Sequence, residues 1–262
     1  AKALWPEDRA RSVEADDALD RFRASTTTES AAPPTADTSA STSTSQPVTG
    51  TPIGVTLPTP GVYRYHTVGT ESVDILGGAT HEFPEETLLT VTVDGCGVLL
   101  RWDLLVERRE EWHLCLTDEG VEYQPAGFTY HEFFSNGRLE EWRCDQPLVV
   151  VPAGVPPVAP WADRIPLDCT IDGREWQPVW EMLEPETVVI DGDEVEVTRL
   201  RMTVVDTDEH YEQTVMEWWL DPTGLPVRMS MSKVSSTDSG VIGDVVYSEN
   251  YLAELLSRTP LV

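Results

Sequence analysis

The chain has 262 residues, of which 40% are apolar and nine are tryptophan, so it can bury a sizeable core. Its formal net charge at pH 7 is −28. A field of that sign repels phosphate backbones and anionic lipid headgroups, which argues against nucleic acid and direct adsorption to a membrane surface. Cationic partners or metal ions are favoured instead, beside the simpler role of a charged surface that keeps the protein soluble.

Residues 1–23 are charged and predict a short juxtamembrane helix. Four apolar residues share one side of it: Val13, Ala18, Leu19 and Phe22. No stretch of the chain approaches the roughly 18 apolar residues that span a bilayer. Because the chain starts at Ala1 without Met, we expect that a signal peptide or a membrane anchor precedes it, with the anchor favoured. Membrane attachment would run through that missing anchor alone.

Residues 24–52 have the composition of a tether. Ser, Thr, Ala, Pro or Gly occupies 25 of these 29 positions, and none is aromatic, Leu or Ile. Such a segment cannot bury enough apolar surface to offset the entropy of ordering it, so disorder is predicted. The tether separates the helix from a body, residues 53–262, that would be a β-rich extracytoplasmic domain held clear of a membrane or wall.

Most of the body alternates apolar and polar residues with a period of two, which predicts antiparallel strands. One such strand follows a hairpin signal at Asp94-Gly95. It places five apolar residues on one face: Val98, Leu100, Trp102, Leu104 and Val106. The charged run 107–111 that follows it predicts a solvated turn. The body is therefore expected to be mainly β.

Further along the chain, strands are predicted over 194–206 and 211–220, with a type I turn at 221–224. A helix is predicted over 248–257, where Leu252, Leu255 and Leu256 would share one side.

Prolines interrupt the pattern over 146–163, and their density excludes a central strand there. The flanking halves, 53–145 and 164–262, look loosely alike, which raises the hypothesis of a duplicated β unit.

The four cysteines all lie in the body, and none forms a C-x-x-C pair. An even count in a chain expected outside the cytoplasm favours two disulfides. Of three pairings we predict Cys96 with Cys115, as a staple between neighbouring strands, and Cys144 with Cys169, which closes the Pro-rich crossover. Free buried thiols are the alternative.

Motifs of catalysis are scarce. His131-Glu132 lacks the second His of a zinc protease motif, and neither a G-x-S-x-G elbow nor a phosphate loop occurs. The loop 206–210 offers three carboxylates and an imidazole to a hard cation, but its spacing matches no EF-hand, so a solvated hairpin tip is favoured. We predict no catalytic residue, no metal ligand and no cofactor, and an enzyme is disfavoured.

Two tryptophan pairs stand out, Trp176 with Trp180 and Trp218 with Trp219. Either could stack on a sugar, but core packing is the default interpretation. Adjacent Trp218 and Trp219 must point to opposite faces of a strand, so at least one lies away from the main core.

The stretch Met216-Glu-Trp-Trp-Leu-Asp-Pro-Thr-Gly-Leu-Pro-Val-Arg228, preceded by the strand that starts at Gly192, resembles bacterial lipoprotein carriers of the LolA/LppX type. The resemblance covers residues 187–233. It implies a curved antiparallel half-barrel that holds a lipid or acyl chain on its concave face. The chain departs from that pattern because it lacks a lipobox cysteine near its start and has few helical segments to close a cavity.

Two functions from different classes remain open. One is a tethered binding module whose concave face takes a lipid or other apolar small molecule, with four candidate lining residues: Met202, Met216, Trp218 and Met229. The other is an acidic structural or interaction ectodomain that meets a protein partner of the cell envelope and has no small-molecule ligand. A cavity lined by apolar side chains favours the first, and a filled core the second.

Overall fold

The computed structural model describes residues 10–29, 55–75, 77–154, 164–206, 210–238 and 243–262. Within these ranges the chain forms one helix, α1 (Ala15–Glu29), and sixteen strands. In chain order the strands are β1 (Gly61–Asp74), β2 (Ala79–Glu82), β3 (Glu86–Asp94), β4 (Gly97–Asp103), β5 (Arg108–Thr117), β6 (Gly120–Phe133), β7 (Asn136–Cys144), β8 (Leu148–Pro152), β9 (Ile165–Pro166), β10 (Cys169–Ile171), β11 (Arg174–Trp176), β12 (Val179–Ile190), β13 (Asp193–Asp206), β14 (His210–Leu220), β15 (Pro226–Asp238) and β16 (Asp244–Leu255).

All sixteen described strands belong to one antiparallel sheet, which confirms the prediction of a mainly β fold. The order is β11-β10-β7-β6-β5-β4-β3-β1-β16-β15-β14-β13-β12-β9, with β2 bonded to β1 and β8 to β6. The first and last long strands, β1 and β16, are neighbours in the middle. We call β3–β7 the N-terminal wing and β12–β16 the C-terminal wing.

The two wings curve until their inner faces meet. Trp112 of β5 and Trp218 of β14 are six strands apart in the sheet, a path of roughly 29 Å at the usual strand spacing. Their ring centroids are nevertheless only 5.6 Å apart. Tyr123 of β6 and Trp180 of β12, which are farther apart along the sheet, lie 5.9 Å from each other. The main core fills the concave side between the wings.

Local turn chemistry sets the hairpins. In the hairpin between β14 and β15, an Asp221 carboxylate oxygen accepts backbone hydrogen bonds from Thr223 at 2.8 Å and Leu225 at 3.2 Å. Gly224 has a φ of +83°, which suits glycine. The predicted turn at 221–224 is therefore confirmed, as is the hairpin signalled by Asp94-Gly95, in which Gly95 and Cys96 form the turn between β3 and β4.

Three local predictions were wrong. The strand predicted to include Leu104 and Val106 ends at Asp103, and Val106 is 41% exposed. The run 107–111 is not a solvated turn, because β5 begins at Arg108, which is buried between acidic partners. Residues 248–255 of the predicted helix belong instead to β16, since pairing with both β1 and β15 outweighs the helical spacing of the leucines. The Pro-rich segment was predicted to contain no central strand. It includes the short strand β8, whose described pairing is with β6 on one side.

Both predicted disulfides are present. Cys96 in the turn before β4 is bonded to Cys115 of β5, and Cys144 of β7 is bonded to Cys169 of β10. The two bonds fit an oxidising, extracytoplasmic environment. Among the described helical residues, none forms a segment with the length and hydropathy needed to cross a bilayer.

The helix α1 lies on the outer face of the sheet. Its buried Ala18 and Phe22 pack against Val62 of β1 and Leu88 of β3, and Val13 and Leu19 join the same cluster. Arg21 of the helix is 2.7 Å from Asp103, which ties it to the end of β4. The helix continues through Glu29, so it takes up the first six residues of the segment predicted as a tether; residues 30–52 of that segment lie outside the described ranges.

Candidate functional site

Residues paired across neighbouring strands share a face, so the concave side of the C-terminal wing can be described as rows that run across it. The deepest row is apolar, with Trp218 beside Leu200 and Met229. The next row contains three methionines and a tyrosine: Met202, Met216, Met231 and Tyr251. The third row is polar and charged: Thr214, Lys233, Glu249, Glu71 and His81. The fourth includes Glu212 and Tyr247.

The N-terminal wing has the same order. Its apolar row contains Leu100, Trp112, Gly127 and Trp142. A row with Glu110, Thr129 and Glu140 follows, and then one with Arg108, His131 and Arg138. A Cβ on Gly127 would lie 2.3 Å from Trp142, so this glycine allows the indole to lie against β6. The space between the wings is thus apolar at its base and charged toward its mouth.

Two adjacent spaces lie between the wings and share part of their lining. A deep cavity of about 80 Å³, room for several water molecules, is lined at its base by the aromatic residues. An outer cleft of about 690 Å³ opens beyond it, within the range of roughly 300–1,000 Å³ common for ligand sites. The residues that border both spaces form the neck between them: His131, Glu140, Ile171, Glu212 and Lys233.

The structure places three of the four predicted lining residues at the deep cavity: Met202, Met216 and Trp218. The fourth, Met229, is 1% exposed in the packed core and borders neither described space. Met231, two residues further along β15, borders the cavity in its place.

Trp218 and Trp219 point to opposite faces, as strand geometry predicts. Trp219 lies on the outer face with the guanidinium groups of Arg199 and Arg228 at 5.1 and 5.5 Å from its ring. Its indole N–H donates to Glu186 at 3.1 Å. This arrangement covers the second indole with charged side chains, so it is 7% exposed and does not contribute to the cavity.

A buried ion cluster joins the two wings above the aromatic base. Arg108 of the N-terminal wing donates to both carboxylate oxygens of Glu249 on β16, each at 3.1 Å. It also donates to Glu110 on its own strand and is 3.9 Å from Glu71 of β1. Arg108, Glu249 and Glu71 are at most 2% exposed. Such a cluster is stable only because each charge has an opposite charge in contact.

Histidine and tyrosine complete this cluster. His81 Nδ1 is 2.8 Å from Glu71, and His131 Nδ1 is 3.5 Å from the other oxygen of the same carboxylate. The Tyr247 hydroxyl lies 3.0 Å from both Glu71 and Glu249 and 3.2 Å from His131. Phe133 stacks on the His81 ring at 4.5 Å and covers it.

Proton affinities follow from these contacts. Burial alone raises the pKa of Glu71, but hydrogen bonds from His131 and His81 and the charge of Arg108 outweigh it and lower the pKa to about 2. Burial likewise lowers the pKa of Arg108, yet the carboxylates of Glu249 and Glu110 hold it well above its ordinary value. Burial, then the charges of Glu249 and Glu71, raises the pKa of Tyr247, so its hydroxyl stays protonated and donates. At neutral pH Glu71 is therefore an anion and Arg108 a cation, and both are paired within the cluster.

The low pKa of Glu71 predicts an acid-dependent loss of stability. Its folded pKa of about 2 is below the ordinary 4.5, so its contribution is fully present above pH 4.5 and disappears as the pH falls toward 2. Urea denaturation between pH 6 and 2 should show a smaller pH dependence in Glu71→Gln than in the natural protein. Glu82→Gln, an exposed residue of neighbouring β2, is the control and should keep the natural pH dependence. Equal slopes in all three proteins would show that Glu71 is not held ionised by its partners.

Sequence reasoning missed this cluster. The alternation of the two central strands does indicate it. In β1, Tyr63, Tyr65 and Thr67 point inward, and Glu71 is on the same face because it is an even number of residues further along. In β16, Glu249 shares the inner face with Tyr251 for the same reason. An inward carboxylate can be recognised only when the inner face is known, because both strands also carry acidic residues outside.

A scan against protein-family models and searches of characterised proteins and of solved structures found no match to this chain. The site is therefore interpreted from its own residues. Within the described ranges, His, Cys, Asp and Glu side chains form no group of three with the geometry of a metal site. Of the loop 206–210, for which a hard cation was considered, residues 207–209 fall outside those ranges.

Proposed function

We propose that the protein is an extracytoplasmic, membrane-tethered, non-catalytic binding module that takes an apolar part of a small molecule between its two wings. The observation that carries this proposal is the pair of adjacent spaces: a cavity with an aromatic and methionine-lined base, and a cleft of about 690 Å³ that shares the residues of the neck with it. Ligand sites commonly combine a mainly apolar wall with a few polar groups that fix orientation.

Two further observations support the proposal. The resemblance of residues 187–233 to carriers of the LolA/LppX type leads to a lipid or similar ligand on a concave antiparallel sheet, and Met202 and Met216 of that stretch border the cavity. The two disulfides support the extracytoplasmic location, and attachment through an N-terminal anchor would place the module at the cell envelope.

Replacing Met216 by Trp tests the proposal. The larger side chain should fill the deep cavity, reduce ligand uptake and cost less than about 1 kcal/mol of stability, since space is present. Met229→Trp is the matched control. The same change in a filled part of the core should overpack it and cost about 1–3 kcal/mol.

Native mass spectrometry of the three proteins, purified from the natural host, measures uptake, and urea denaturation measures stability. We expect a co-purified ligand on the natural protein and less of it on Met216→Trp. If Met216→Trp is destabilised as much as Met229→Trp and no ligand accompanies the natural protein, the core is filled and the interaction-ectodomain alternative is preferred.

A further inference from the structure

We infer that the ligand of this cleft carries a positive charge, as an ammonium or quaternary ammonium group attached to an apolar body. The inference rests on the proposed binding function and narrows it to one chemical class. Three independent features of the described site lead to it: the aromatic base, the balance of charge around the neck, and the pairing of the cations already there.

The base of the deep cavity is a cluster of aromatic rings in mutual contact. Trp218 lies 5.6 Å from Trp112, 5.3 Å from Tyr123 and 5.3 Å from Trp180, measured between ring centroids. Trp142 stacks on Tyr123 at 5.4 Å. Indole and phenol faces carry negative potential, and several of them around one space attract alkylammonium groups through cation–π contacts. An apolar ligand alone would not need so many tryptophans, since aliphatic residues provide the same burial.

The charges above this base have an acidic excess. Four carboxylates border the deep cavity from the inner rows: Glu110, Glu140, Glu212 and Glu249. They face one guanidinium and one ammonium, from Arg108 and Lys233, and the imidazole of His131. An anionic headgroup brought to this neck would meet like charge in a partly dehydrated space, which is unfavourable. A cation would be attracted there, and the acidic field of the whole chain increases its local concentration.

The cations of the site are already paired within the protein. Arg108 binds Glu249 and Glu110, and Lys233 is 3.6 Å from Glu212, a carboxylate that also accepts a hydrogen bond from Thr214. Glu140 differs from these acids. Its described ion-pair partner is Arg138, whose side chain is 63% exposed, so water screens that pair.

Glu140 is therefore the carboxylate best able to accept a ligand cation at the neck. It lies on β7 two residues before Trp142 and on the same face, so a group between them would contact an indole on one side and a carboxylate on the other. The nearby Trp176 also borders the cavity, and its indole N–H is buried without a hydrogen-bond acceptor in the described structure. A ligand with an acceptor oxygen near its cation would satisfy that group.

Three probes with the same eight-carbon chain test the inference: octyltrimethylammonium, octanoate and 1-octanol. Isothermal titration calorimetry at low salt should give about 10-fold tighter binding of octyltrimethylammonium than of 1-octanol, the effect of one or two cation–π contacts. Octanoate should bind more weakly than 1-octanol. Glu140→Gln should reduce affinity for octyltrimethylammonium about 10-fold and leave 1-octanol unchanged.

Glu141→Gln is the matched control, because Glu141 is the next residue on the same strand, is exposed and points to the other face. It removes the same charge from the chain and should leave all three affinities unchanged. Equal binding of the three probes would overturn the inference and leave the binding function standing. Tighter binding of octanoate would overturn it in favour of an anionic ligand, and no binding of any probe would count against the proposed function as well.

Discussion

Arg108→Met is expected to destabilise the protein by about 3–5 kcal/mol at pH 7, the usual consequence of removing one partner from a buried ion cluster. The variant leaves the buried carboxylates of Glu249 and Glu71 facing each other without the guanidinium that contacts both. Urea denaturation followed by far-UV circular dichroism measures the loss. The midpoint should fall strongly, with a similar slope if the variant still unfolds as one unit.

Arg109→Met is the control for Arg108→Met. Arg109 points to the outer face, where its contact to Glu111 is long, at 3.7 Å, and partly solvated, so the variant should lose less than about 1 kcal/mol. The difference between Arg108→Met and the natural protein should shrink as the pH falls toward 2, because protonation of Glu71 removes a negative charge that Arg108 neutralises. A loss in Arg108→Met no larger than that in Arg109→Met would show that the cluster is not what holds the wings together at this level.

Removal of the Cys144–Cys169 bond, as Cys144→Ala/Cys169→Ala, is expected to cost about 3–4 kcal/mol in the chain-entropy model for a loop of 25 residues. The bond also holds β10 and β11 at the end of the sheet, where β10 pairs with β7 at three positions. Ile171 and Trp176 of these short strands line the deep cavity, so the variant should lose ligand uptake together with stability.

The corresponding variant of the other bond, Cys96→Ala/Cys115→Ala, separates the two effects. Its loop of 19 residues implies a similar loss, about 3 kcal/mol, but the cysteines adjoin a longer ladder between β4 and β5 and lie outside the cavity. Ligand uptake should therefore persist at temperatures where this variant is folded.

Thiol titration of exported natural protein after denaturation should detect no free thiol, and recovery of four thiols would contradict both bonds.

Local features of this fold could be predicted from the sequence, because they depend on residues close in the chain. The alternation along Val98–Trp102 predicts a strand, and the Asp-Pro-Thr-Gly sequence at 221–224 predicts a turn; both are present in the structure. The even number of cysteines and the expected compartment predicted the two disulfides. The hairpin between β6 and β7 shows the limit of such signals. Its turn residues are Phe134 and Ser135, both at positive φ, although Asn136-Gly137 beside them has the preferred sequence for that turn.

The charged half of the site could not be predicted in the same way. Glu71, Arg108 and Glu249 are separated by 37 and 141 residues and meet only because the wings close. Nothing near Arg108 in the chain distinguishes it from Arg109, yet one is buried in the cluster and the other is on the outer face. Alternation places Met202, Met216 and Met229 on the inner face alike. Which of them borders a cavity depends on the position of each residue along its strand, which alternation does not reveal.

The pairing of β1 with β16 also sets the order in which the protein can fold. Tyr65 lies opposite Leu255, and this register continues to Asp74 opposite Val246, so the centre of the sheet joins the two ends of the body. Each wing can form its hairpins from segments that are neighbours in the chain, as soon as those segments have been synthesised. The central ladder must wait for the last strand, and pairing at such sequence separation is slow. Until then the inner faces of both wings are exposed, and the aromatic base of the site is the surface that most needs protection from aggregation.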